Sequence, residues 1–119
     1  MVRFMLLING DRQAWADMSP EEEARITEGH RAFLAVAGAA VLDGGELDAP
    51  ERAASVRSRH GVAPQVTEGP FTGSAEAVGG YYILEAADLD EAVRLASLLP
   101  ETSAPYRAGV EVRQLLNGV

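Results

Sequence analysis

The sequence predicts an α+β sandwich of ferredoxin-like type with an inserted β-hairpin, in a single domain over residues 1–119. Three observations carry that reading. Two helical segments with clear start signals alternate with apolar, strand-like runs. Two short β-rich runs flank His60-Gly61 and interrupt that alternation. The length of 119 residues, with 47% hydrophobic content, suits one core that buries about two-thirds of the unfolded chain's surface.

Val2 to Asn9 reads as a strand, with Val2, Phe4, Leu6 and Ile8 on one face and Arg3, Met5 and Leu7 on the other. Asn9-Gly10-Asp11 breaks it. Ser19-Pro20-Glu21-Glu22 opens a helix: Ser19 is the N-cap, Pro20 takes the first helical position and Glu22 completes a capping box. The helix runs to about Ala37 and stops at Gly38, with Ile26, His30, Phe33, Leu34 and Ala37 as its inner stripe. Ala39 to Leu47 is a strand containing Gly44-Gly45-Glu46. Ala54 to Arg59 and Val62 to Thr67 form the hairpin, its second arm weakened by Pro64, which has no N–H for a ladder.

The segment Val66-Thr67-Glu68-Gly69-Pro70-Phe71 is a turn that only its glycine and proline permit, with Phe71 returning an apolar side chain to the body of the domain. Val78 to Ala86 is an aromatic strand. Asp88, followed by Glu91, caps a second helix that buries Leu89, Ala92, Val93, Ala96 and Leu99 and ends before Pro100. Ala108 to Leu116 is the last strand. Two helices cover one face of such a sheet. Since the first strand is apolar on both faces, the other face needs a second sheet, and a homodimer is expected.

Composition excludes several classes. With no cysteine, disulfides, thiolate catalysis and zinc-thiolate sites are ruled out, and two histidines leave little for a metal centre. A net charge of −8 opposes nucleic-acid binding, whose phosphates need Lys and Arg. No apolar run approaches the ~20 residues of a membrane helix. Met1 to Asn9 lacks a small-residue cleavage site, so no signal peptide and a cytoplasmic location are expected. No G-x-x-x-x-G-K-[ST] or G-x-G-x-x-G pattern is present, and no cofactor is expected.

Met5-Leu6-Leu7-Ile8, Ser19-Pro20-Glu21-Glu22, Gly44-Gly45-Glu46-Leu47, Val56-Arg57, Thr67-Glu68-Gly69-Pro70-Phe71, Gly79-Gly80-Tyr81-Tyr82, Asp88-Leu89-Asp90-Glu91-Ala92 and Val110-Glu111-Val112-Arg113 span nearly the whole chain. In that order they resemble the YCII-related superfamily, and within it the branch named for an Asp-Gly-Pro-Phe motif, with Glu68 where the branch has Asp. The resemblance implies a dimeric α/β-barrel, a fold shared with small isomerases, monooxygenases and dechlorinating relatives. Some members of the branch occur beside extracytoplasmic-function sigma factors. It also implies a catalytic dyad of a helix His and an Asp before a Pro-Tyr pair. The His corresponds to His30, whereas Pro105-Tyr106 is preceded by Ala104, so the acid is not at its place.

His30, the one ionisable group on an apolar helix face, is therefore either a hydrogen-bonded core histidine or an acid/base lining a pocket. Glu46 is a strand-end carboxylate that could replace the missing acid, and Glu68 opens the Gly69-Pro70-Phe71 turn. Trp15 and Asp11 sit after the first strand, where a lid or a packing cap would lie. Tyr81 and Tyr82 point to opposite faces, one to the helices and one to the dimer interface. Arg57 and Arg59 share a face of the hairpin, either as a solvated edge or as a site for a carboxylate or the second protomer. Two functions follow. One is a cofactor-free isomerase, lyase or hydrolase with His30 as acid/base. The other is a non-enzymatic small-molecule-binding or regulatory module, with a sigma factor as a possible partner.

Overall fold

The first strand, β1 (Val2–Asp11), alternates buried Phe4, Leu6 and Ile8 with half-buried Met5 and Leu7, as its apolar period of two requires. The computed structural model describes residues 1–104 and 108–117. A short helix α1 (Arg12–Ala16) follows, then the long helix α2 (Pro20–Ala37), β2 (Val41–Glu46), the hairpin strands β3 (Ala54–Arg57) and β4 (Gln65–Glu68), β5 (Glu76–Ala86), α3 (Leu89–Ala96) and β6 (Gly109–Gln114). Single 3-10 turns stand at Gly38–Ala40, Pro50–Arg52 and Pro100–Thr102. The main sheet has the order β2-β5-β1-β6 with every neighbour antiparallel, the split β-α-β arrangement of ferredoxin-like domains. Strands β3 and β4 pair only with each other.

The expected start signals operate. Ser19 Oγ accepts from the Glu22 N–H at 3.2 Å, and Asp88 Oδ1 accepts from the Glu91 N–H at 2.9 Å. The core lies between one sheet face and the helices: Phe4, Leu6, Ile8, Phe33, Ala37, Leu84, Ala86, Ala92, Ala96 and Leu99. Leu6 stands opposite Tyr82 on β5 and Val112 on β6, so Tyr82 shares the helix-covered face. The opposite face carries Met5, Leu7, Tyr81 and Ile83, all half-buried, and the molecule is only 18 Å thick.

Several expectations are corrected. β1 runs on to Asp11, whose side chain accepts from the Ala14 N–H at 2.9 Å and starts α1 where a loop was expected. Leu34 is exposed, as are Leu89 and Val93, because the sheet meets each helix along a stripe narrower than the apolar residues would cover. The hairpin ladder is also shorter than expected, although the His60-Gly61 turn forms, with Val62 N–H donating to Arg59 O. Pro64 lacks the N–H that would extend it, so β4 starts at Gln65. Phe71 does not return to the body of the domain. It is 64% exposed, its ring covered by the Arg57 guanidinium 4.3 Å from the ring centroid.

Candidate functional site

One turn of contact between α2 and the Pro100–Thr102 segment assembles the candidate site. Gly29 faces Pro100 so closely that a Cβ on Gly29 would lie 2.7 Å from Pro100 Cγ. The next residue on each side then meets its counterpart: His30 Nε2 lies 2.7 Å from Glu101 Oε2. On the other side of the ring, His30 Nδ1 lies 2.8 Å from the Tyr82 hydroxyl. Tyr82 is held by Phe33, with ring centroids 4.9 Å apart, and by Gly44, where a Cβ would come within 2.5 Å of Tyr82 Cδ1. The glycine of β2 is thus the space into which the tyrosine ring packs.

Glu101 is 5% exposed and the His30 side chain 22% exposed, so the chain of groups runs from the interior toward an accessible edge. Among the described residues, Glu101 Oε1 is buried without a hydrogen-bond partner. An ionised Glu101 only accepts, so Nε2 carries the proton toward it and a neutral ring leaves Nδ1 to accept from the Tyr82 O–H. If the ring becomes imidazolium, Nδ1–H donates to the phenol oxygen and the Tyr82 proton is free to turn to another acceptor. Burial, and secondly the Glu101 charge, push the Tyr82 phenol above its ordinary range, which keeps it a neutral donor.

The other predicted residues lie elsewhere. Glu46 ends β2 opposite Gly80 and is exposed, so the carboxylate that meets His30 is Glu101. Glu68 ends β4 opposite Ala54 and is exposed. Gly69, at φ +98°, donates its N–H to Ala53 O at 2.7 Å and accepts from Ser55 Oγ at 2.8 Å. That pins the corner carrying Pro70 and Phe71. Trp15 packs its indole over the backbone of Gly10 and Gly79, where a Cβ would come within 2.5 and 2.6 Å. It caps the end of the sheet.

Two surface hollows, of about 520 and 420 Å³, lie beside the ends of β1 and β6 and beside the Gly69-Pro70-Phe71 corner. Neither is lined by His30, Tyr82 or Glu101. No cluster of three or more His, Asp or Glu residues suited to a metal ion occurs among the described residues.

Sequence reasoning missed Glu101. The family resemblance points to the residue before Pro105-Tyr106, a pair that lies outside the described residues, whereas Glu101 stands three positions before Ala104. No local signal singles it out: Glu21 and Glu51 also follow a proline directly, and both are exposed.

Two outcomes are expected. Alanine in place of a helical glycine ordinarily adds about 1 kcal/mol. At Gly29 the overlap with the rigid Pro100 ring reverses the sign, and Gly29→Ala loses about 1–3 kcal/mol in chemical denaturation. A gain in stability would mean that the close approach is absent. For Tyr82 the raised pKa means stability is fully present below about pH 10 and lost as pH rises through the folded-state value. Absorbance at 295 nm should therefore show a tyrosinate step above the ordinary range that Tyr82→Phe removes.

The sequence matches no curated protein at a significant level. A family model described as the YCII-related domain matches residues 2–116, within which His30, Tyr82 and Glu101 all lie. With nearly the whole chain matched, the protein belongs to the YCII-related domain family.

Proposed function

We propose that this protein is a cofactor-free, small-molecule enzyme of the isomerase, lyase or hydrolase kind, with His30 as acid/base. The observation that carries this is the Glu101–His30–Tyr82 chain, in which both ring nitrogens are engaged at 2.7 and 2.8 Å. A proton taken from a substrate reaches Nδ1 through the Tyr82 oxygen, which accepts it as the phenol proton passes to Nδ1. The imidazolium so formed is stabilised by Glu101, and its orientation is set before reaction. Returning the proton to a neighbouring atom of the substrate completes an isomerisation; losing a leaving group instead completes an elimination. Glu101 Oε1, which has no partner among the described residues, supports the reading, since a buried acceptor without a donor costs about 1–3 kcal/mol and is kept where a ligand or water uses it.

The working form is proposed to be a homodimer that closes the sheets of two copies into an α/β-barrel. The half-exposed row of Met5, Leu7, Tyr81 and Ile83 supplies the surface. The radius of gyration of 16.0 Å exceeds the roughly 13.5 Å of a compact domain this long, consistent with a protomer completed by a partner. A second reading, a small-molecule-binding or regulatory module without turnover, is favoured by one observation: His30 has no ring nitrogen without a partner.

Proton exchange decides between the two. A panel of small lactones, 2-oxo acids and β-halo acids is incubated with the protein in deuterated water and followed by NMR. Turnover or deuterium uptake should appear in one class and fall about 10²–10⁴-fold in His30→Ala with its circular dichroism retained. A His30→Ala rate equal to wild type rejects the catalytic role, and binding without exchange selects the module. For the dimer, sedimentation velocity should find two copies in the wild type and a folded monomer for Leu7→Asp. A Leu7→Asp protein that stays dimeric places the interface elsewhere.

A further inference from the structure

The Tyr82 hydroxyl ends the Glu101–His30–Tyr82 chain, and what it offers a ligand depends on the proton state of the imidazole behind it. A phenol oxygen carries one O–H donor and two acceptor lone pairs. While His30 is neutral, with its proton on Nε2 toward Glu101, the Tyr82 O–H is committed to Nδ1 across 2.8 Å. Only the lone pairs remain, and the hydroxyl can only accept. When His30 is an imidazolium, Nδ1–H occupies one lone pair and the Tyr82 O–H turns away from the ring as a donor.

The frame around the two groups keeps them in register. Nε2 is held by Glu101 at 2.7 Å, and the Tyr82 ring is clamped between Phe33 and Gly44. The charged neighbours of His30 on α2, Glu28 and Arg31, are both exposed and pair with each other at 2.9 Å. Among the described residues, Glu101 and Tyr82 are the titratable side chains hydrogen-bonded to the imidazole. Burial, and secondly the Glu101 charge, keep the phenol protonated where imidazoles ionise, so the hydroxyl reverses direction without ionising.

We infer that Tyr82 is the specificity-determining residue of this site, and that its ligand is a small hydroxyl compound such as an enol. The same hydroxyl meets the ligand before and after proton transfer. The ligand atom must therefore donate to Tyr82 while His30 is neutral and accept from it once His30 is protonated. A hydroxyl oxygen does both, whereas a carbonyl only accepts and an ammonium only donates. Protons balance: the ligand O–H breaks as its proton joins the Tyr82 oxygen, the Tyr82 proton passes to Nδ1, and the ligand oxyanion accepts from the new Tyr82 O–H. This role of Tyr82 rests on His30 as the acid/base of the proposed function, but it is read without turnover, so either can fail alone.

The test is NMR on the full-length protein with isotope-labelled histidine and tyrosine, titrated from about pH 8 to about pH 5. The Nε2–H tautomer, with Nδ1 unprotonated, is expected at the upper end. As Nδ1 gains its proton, the Tyr82 Cζ signal, assigned through Tyr82→Phe, should move in the same step. A ring that starts as the Nδ1–H tautomer, never titrates, or titrates without moving Tyr82 Cζ overturns the switch. The probes are phenol and its methyl ether, anisole, each added at the upper pH. Phenol should saturate and shift both signals, anisole should bind more weakly, and Tyr82→Phe should weaken phenol about two- to tenfold. Anisole bound as tightly as phenol, or no saturation by phenol at about 10 mM, overturns the ligand class. Loss of proton exchange in His30→Ala beside a Tyr82 signal that never moves would remove this role and leave the catalytic one standing.

Discussion

A carboxylate taken out of water has to be matched by donors, and the meeting of Glu101 with His30 is the constraint around which this domain is arranged. It requires α2 to lie unusually near the turn after α3, and only a residue without a side chain at position 29 permits that distance to Pro100. It also requires a donor on the far side of the ring, which Tyr82 supplies from the central part of the sheet. Three elements distant in sequence are thus tied together through one imidazole: the long helix, strand β5 and the 3-10 turn at Pro100.

Such a network is a poor device for stability alone. An apolar cluster of the same volume would hold the helix to the sheet at least as well, whereas removing one partner of a buried pair leaves an uncompensated charge and costs several kcal/mol. The adjoining core of Phe33, Leu84 and Leu99 already supplies apolar packing at this place. Among the described residues the buried Glu101 has one oxygen unpartnered, which supports the proposed chemical role.

The two ends of the domain are organised by different physics. At the His30 end, glycines let rigid rings approach backbone, as Pro100 does at Gly29 and Tyr82 at Gly44. At the hairpin end, arginines do the holding: Arg12 anchors Glu51 and Arg57 covers Phe71. The Glu51 carboxyl lies below its usual range, first through backbone hydrogen bonding and then through Arg12, so this anchor persists above the ordinary carboxylate range and loosens as pH falls through the lowered value.

What the sequence by itself determined is whatever depends on neighbours along the chain. The caps at Ser19 and Asp88, the alternation of β1 and the turn at Gly69-Pro70 were all legible, because each is a local match of side chain to backbone within a few residues. The tertiary structure alone decided which apolar residues are covered. Leu34 and Val93 read as core by period and stand exposed, since the width of the contact stripe depends on how helix and sheet cross. It also decided the partner of His30. Glu46 and Glu101 are equally acidic in a sequence, and only the position-29 contact, made across 71 residues between His30 and Glu101, selects one of them. A pairing at that separation is set by the packing of whole elements, and no local pattern encodes it.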